Sequence, residues 1–270
     1  MTIRLPLFLF GTAAVIALCA GCGEKTFTSE WSDRGIIVDG IYSDWTGPMS
    51  YLDKQSMFVG VRNDGEYLYM LVKTVDLRAQ IKVLRLGLTL WFGPDRKGGG
   101  RLGIRYPIGI EDHGIPQFGA EPLREPTAEQ REKLAESLGE MEILGPGQEK
   151  WTSVARTDSS GIQVAVRDTS ECIVYELRVP LKGKDGSSWA VNAAPGARII
   201  VEAETGDIRP KLLEPGSSEP RRRETTGMVR DKGRQRDRGE RMGPRAMNPL
   251  AEPIRFRAHV ILAANPSPVR

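Results

Sequence analysis

The side chains able to do chemistry are few in this chain of 270 residues, and they are scattered. Two histidines are present. His113 stands in Glu111-Asp112-His113-Gly114, where carboxylates beside an imidazole supply the donors of a polar ligand pocket or a metal site. Asp112 and His113 are therefore candidate ligand-contacting residues. A lone triplet has no ligand spacing across the chain, so a solvated loop is the reading it favours and no metal is expected. His259 alternates with Arg255 and Arg257, and Met70 falls in a core pattern, so no axial haem pair forms and no cofactor is expected. Trp91 is the main aromatic candidate. Leu88, Leu90 and Phe92 point to one side of a strand, which puts the Trp91 indole on the other, where it can stack on a sugar ring. Tyr106 is a further candidate contact. Glu202 and Glu204 share one strand face at period two, a spacing open to a hydrolase pair but better accounted for by solvent-facing alternation. No G-x-S-x-G, H-E-x-x-H, C-x-x-C or phosphate-loop pattern is present. Binding without catalysis is the expectation.

Cysteine carries a different chemistry. Residues 5–20 are almost wholly apolar, follow the cation Arg4, and end in Cys19-Ala20-Gly21-Cys22. That is the order of an export signal: charged start, apolar run, small-residue cleavage site. The run is shorter than the roughly 20 residues that span a bilayer. Ala20-Gly21-Cys22 resembles the lipobox of bacterial lipoproteins, with Cys19 where Leu is usual. The resemblance implies cleavage before Cys22, diacylglycerol on its thiol and an acylated amino group. Gly23 stands where a retention-type Asp would argue for the inner membrane, so an outer-membrane lipoprotein of the cell envelope is expected. Residues 1–21 then form the signal, 22–30 a tether, and 31–265 a single domain. Cys172 is left alone, which excludes an internal disulfide in the mature chain and reads as a buried thiol.

Charge is concentrated. Residues 217–246 hold ten Lys or Arg, from Arg221 to Arg245, against five acids, a net of +5. With few large apolar side chains, this stretch cannot offset its ordering entropy. It reads as a disordered loop, about 214–250, inserted before the last strand. It suits an anionic surface. Interleaved acids, absent aromatics and export argue against nucleic acid.

The elements that must position these residues are strands. Met57, Val59 and Val61 alternate with Phe58, Gly60 and Arg62, and stop at Asn63-Asp64-Gly65, a hairpin signal. Leu68, Met70 and Val72 follow on the far side. Further core faces are Leu86, Leu88, Leu90 and Phe92; Ile162, Val164 and Val166; Ile173, Tyr175, Leu177 and Val179; Ile199, Val201 and Ala203; and Phe256, Ala258, Val260 and Leu262. Between them, about 109–145 reads as an insertion. It carries one short helix capped by Thr127 and Gln130, ends at Gly139, and bears a stripe of Leu134, Leu138 and Met141. Nine or ten strands with one helix predict an antiparallel β-sandwich.

Ile37-Val38-Asp39-Gly40 with Ser43-Asp44-Trp45 resembles the V-D-G-x-x-x-D-W opening of family 9 carbohydrate-binding modules and the related DOMON group. Asn63-Asp64-Gly65-Glu66-Tyr67-Leu68-Tyr69 resembles their N-D-x-x-Y-L-Y hairpin. The Gly87 to Phe92 strand and Tyr106-Pro107 continue the order. The resemblance covers about 75 residues and implies a non-catalytic β-sandwich that binds a glycan. It assigns no sugar-contacting residue here. The second reading is an envelope protein-interaction or scaffolding lipoprotein without a small-molecule ligand.

Overall fold

Alternating apolar runs bounded by turn residues become strands throughout. The structure is a computed structural model that describes residues 25–95, 100–109, 138–156, 161–169, 171–183, 189–206 and 252–266. The signal segment with Cys22, Asp112 and His113, the helix read after Thr127 and the Arg221 to Arg245 stretch lie outside these residues.

Thirteen strands and one α-helix are described. In chain order they are β1 (Lys25–Thr28), β2 (Glu30–Trp31), β3 (Ser50–Leu52), β4 (Met57–Asn63), β5 (Tyr67–Thr74), α1 (Leu77–Leu86), β6 (Leu88–Pro94) and β7 (Leu102–Arg105). After them come β8 (Glu140–Leu144), β9 (Thr152–Ala155), β10 (Gln163–Asp168), β11 (Ile173–Pro180), β12 (Arg198–Thr205) and β13 (Arg255–Ile261).

They form two sheets, one ordered β1-β13-β12-β6-β7-β8-β9, the other β10-β11-β5-β4-β2 with β3 beside β4. The inner faces meet in one core. Leu90, Phe92, Ile104, Met141, Val201 and Val260 come from the first sheet, and Met57, Val59, Leu68, Met70, Tyr175 and Leu177 from the second. Each such side chain contributes roughly 1.5–3 kcal/mol by leaving water. The architecture is the expected mainly-β sandwich.

Three details differ from the sequence reading. First, the sheets begin before Trp31. Residues 25–28, read as tether, run parallel to β13, with Phe27 buried. Glu30 and Trp31 run parallel to β4. The sheets are thus mixed, not purely antiparallel. These short, polar strands show too little alternation to be seen in sequence. Second, the helix among the described residues is α1. Asp76 caps it, accepting from Ala79 N at 2.8 Å, and Gly87 ends it at φ 77°. A positive φ favours glycine, and a Cβ there would lie 2.5 Å from the Pro107 carbonyl oxygen. Third, Met141 belongs to a strand, not to the helix of the insertion, and faces the core from β8.

Candidate functional site

The outer faces of the two sheets are where alternation leaves side chains unused by the core. On the six-stranded sheet that face is covered. Tyr69, Leu71 and Val174 point outward and are buried beneath Ile36 and Trp45, which the connection between β2 and β3 lays across them. Glu176 fastens this strap. Its side chain is fully buried, 0 % exposed, and accepts from Asp39 N at 3.0 Å, Gly40 N at 2.7 Å and Trp45 Nε1 at 2.8 Å. Burial pushes the Glu176 carboxyl above its ordinary range, and the bonds from Gly40, Trp45 and Asp39 pull it back down. Gly40 has φ 79°, and a Cβ there would meet Arg167 Cβ at 2.7 Å.

The hairpin motif is structural as well. Asp64 accepts from Glu66 N and Tyr67 N at 2.7 Å each, and from the Tyr69 hydroxyl at 2.7 Å. Burial and Asp64 together keep the proton on Tyr69. Asn63 is buried, accepts from Ser29 Oγ and Ala263 N, and donates to the Ala263 carbonyl. Asp39, Gly40, Trp45, Asn63, Asp64 and Tyr69, which carry much of the family resemblance, thus hold the fold together. The small hollow beside Trp45, lined by Glu30, Met49 and Arg62, is crossed by the Arg62–Glu30 ion pair at 2.8 Å.

The outer face of the seven-stranded sheet is different. Register places Trp91 opposite Gly103 on β7 and opposite Glu202 on β12. Because Gly103 has no side chain, the Trp91 ring lies over it and reaches Trp151, which immediately precedes β9. The ring centroids are 5.4 Å apart, edge to face. A Cβ at Gly103 would sit 2.6 Å from Trp91 Cζ3 and 2.9 Å from Trp151 Cη2. Both indoles are half-buried. The Arg101 guanidinium lies 4.9 Å from the Trp91 ring centre, and that of Arg105 lies 4.6 Å from Trp151. The Trp91 Nε1 donates to Glu204 Oε1 at 3.2 Å.

Among the described residues of this face, four arginines meet three glutamates. Arg101 and Arg257 both meet Glu202, Arg105 meets Glu142 at 2.8 Å, and Arg255 meets Glu204 at 3.6 Å. The result is an aromatic platform set among donors and acceptors with little net charge. Glu202 and Glu204, which in sequence suggested a hydrolase pair, are both engaged by arginines. His259 lies beside Asp95 at 3.3 Å, farther along the same face. Among the described residues, no group of His, Cys, Asp and Glu side chains is placed to hold a metal ion.

Of the sequence candidates, Trp91 stands on this platform. Tyr106 does not: it is 0 % exposed in the core, its ring 6.4 Å from that of Tyr175, its hydroxyl donating to the Leu138 carbonyl at 3.2 Å. Reading it as a ligand contact is therefore corrected. The next residue after β7 turns inward, toward the second sheet, and burial raises the Tyr106 hydroxyl above its ordinary pKa. Cys172 is buried with a free thiol, as the sequence suggested. Sequence spacing does not single out Trp151, Gly103, Arg101 or Arg105 as site residues. The signal for the last three is the period-two alternation of Arg101, Gly103 and Arg105 with Leu102 and Ile104.

Comparison with known proteins gives a likeness of fold. The chain is similar to a family 9 carbohydrate-binding module from Caldicellulosiruptor kristjanssonii, solved with cellotriose and with glucose. Identity is 10 % and the TM-score 0.33 in both cases. The match covers 67 % of this chain, and 76 % and 78 % of those two chains. At this identity no residue of those modules is carried over. No family profile and no curated protein matches the chain.

Proposed function

We propose that the chain is a membrane-anchored envelope lipoprotein, lipidated at Cys22, whose sandwich binds a neutral glycan without catalysis. The observation that carries the glycan reading is the Trp91–Trp151 pair, laid across Gly103 on a sheet face of ion-paired arginines and glutamates. Indole faces take the apolar C–H faces of sugar rings, and the guanidinium and carboxylate groups around them offer both donors and acceptors to hydroxyls. A polyanion would instead favour an unbalanced basic surface. Arg101 rests on the Trp91 ring through an exposed cation–π contact, worth only about 0.5–1 kcal/mol. A sugar can displace it at small cost and hydrogen-bond to it from the side.

The test is calorimetric titration of neutral oligosaccharides, chosen by glycan array, into the full chain and its Trp91→Ala and Trp151→Ala variants. Binding weakened by tenfold or more in both variants, roughly 1.4 kcal/mol, with unchanged thermal unfolding supports the reading. Equal affinity in all three proteins, or binding to acidic glycans alone, refutes it.

A further inference from the structure

Strand β1 shows from which end of the sandwich the chain enters. Lys25 Nζ donates to the Tyr51 carbonyl at 3.1 Å, and the strand runs from there to Ser29, which bonds to Asn63 at the opposite end. Cys22 is three residues before Lys25, and three Cα steps span at most about 11 Å. With residues 25–28 bound into the sheet, an acylated Cys22 has almost no tether.

The outer face of the six-stranded sheet is bare at this same end, just beyond the strap. There Tyr51 stacks on Phe58 at 4.8 Å, Phe58 pairs across strands with Lys73, and the Lys73 ammonium lies 3.7 Å from the Tyr42 ring centre. Two positions past Lys73 on the same face is Val75, 62 % exposed, and the start of α1 adds Leu77 at 54 %. The 53–56 turn closes the patch, tied to β5 by Thr74 Oγ1 donating to the Ser56 carbonyl at 2.8 Å. Exposed cations Lys25, Lys54 and Arg78 surround it. The acids at this end include Asp53, Asp168 and Glu171, all exposed, and Asp76, which caps α1.

We propose that this patch, with Tyr42, Tyr51, Val75 and Leu77 between Lys25, Lys54 and Lys73, rests in the headgroup layer of an anionic phospholipid membrane. Tyrosines at headgroup depth, short apolar side chains below and lysines reaching to phosphates are what such a surface requires. The inference rests on the reading of Cys22 as the lipidated residue, because it is the short covalent reach that puts this end against the bilayer. It also fits the glycan platform. Trp91 is on the opposite layer of the sandwich. It stands three strands from β1, about 14 Å, and the Trp151 edge about 29 Å, at ~4.8 Å per strand. Docking leaves the platform turned away from lipid.

The test uses the lipidated full chain in vesicles of phosphatidylethanolamine and phosphatidylglycerol. A fluorophore is placed on Val75→Cys or, at the far hairpin, on Gly65→Cys, where a Cβ meets nothing within 4 Å. A headgroup nitroxide should quench the label at 75 about threefold more than that at 65, as a patch held within ~5–10 Å of the headgroups requires. Equal quenching at both sites overturns the proposal. So does a label at 75 that is already shielded in detergent by a second copy of the chain. Labelled palmitate on the same samples, with Cys22→Ser as control, separates the two readings. Palmitate incorporation with equal quenching leaves the anchor standing and removes the docking. Preferential quenching at 75 in a fluorophore-bearing protein that takes up no palmitate, on added vesicles, supports docking and removes the anchor.

Discussion

The two outer faces of the sandwich start from the same pattern and end in opposite states. On the six-stranded sheet, outward Tyr69, Leu71 and Val174 are apolar, and the strap covers them. On the seven-stranded sheet, outward Trp91, Glu202, Glu204 and Arg257 are polar or amphipathic, and they pair among themselves. The first face spends its one buried carboxylate, Glu176, on holding the strap. The second distributes its carboxylates over arginines at its surface. A covered face of this kind serves stability, whereas exposed ion pairs contribute at most about 1 kcal/mol each, so the open face is free to serve recognition. Substitutions on the two faces should therefore separate stability from binding.

The largest effect is expected at Glu176. Glu176→Ala leaves the Asp39 and Gly40 amides and the Trp45 indole N–H without their acceptor in a buried setting. Each unsatisfied donor costs about 1–3 kcal/mol. We expect a loss of roughly 3 kcal/mol in urea unfolding and a Trp45 emission shifted toward that of exposed indole. Any glycan affinity measured on the remaining folded protein should be unchanged. If affinity fell in proportion to stability, the two faces would not be independent.

How far the sequence discloses each face follows from the same contrast. Alternation shows which residues point inward, because the core is a local property of each strand: Leu88, Leu90 and Phe92 are buried as their spacing requires, and Trp91 is opposite them. Asp39, Gly40 and Trp45 stand out because their turn needs them. Their partner does not stand out, since Glu176 is 136 residues from Gly40 and a glutamate alternating with Tyr175 and Leu177 reads as solvent-facing. Trp151 is concealed for the same reason. It meets Trp91 only because β7 and β8 intervene in the right register, which no local period encodes. Helix α1 had local signals, Asp76 before it and Gly87 after it. Its end hides them, because Leu84 and Leu86 continue at period two into Leu88 and Leu90 of β6, so the last turn of the helix reads as strand.

The next effect in size is on the open face. Gly103→Ala would place a methyl group within 2.6 Å of Trp91 Cζ3 and 2.9 Å of Trp151 Cη2. Both rings must lift or part. Overpacking of this kind costs about 1–3 kcal/mol in a closed core, and the half-buried setting of these rings puts the cost at the lower end. The edge-to-face pair should be lost from the near-ultraviolet circular dichroism. Glycan binding should fall as far as in Trp91→Ala, although no indole has been removed. Retained binding with a changed dichroism would show that one tryptophan suffices and that the pairing is incidental.

The smallest effect is a pH slope, and it belongs to the covered face alone. Burial holds the Glu176 carboxyl above its ordinary value of 4.5. Over the window from that value up to its raised one, the folded protein keeps a proton that the unfolded chain has released. Stability then falls as pH rises through the window, because the native state binds more protons than the unfolded state. The open face carries carboxylates of its own, so the slope of the wild-type protein alone does not isolate Glu176. Glu176→Gln removes the titration while leaving those carboxylates in place. It also turns one acceptor into a donor facing the strap, which lowers stability by a constant amount. The difference in unfolding free energy, wild type minus Glu176→Gln, should therefore be greatest near pH 4, decline with rising pH, and level off above the raised value. A difference that is flat, or that grows with pH, would mean that the three hydrogen bonds from the strap outweigh burial. Glu176 would then be a favourably ionised anchor, and the covered face would be stabilised by the same charge-assisted pairing as the open one.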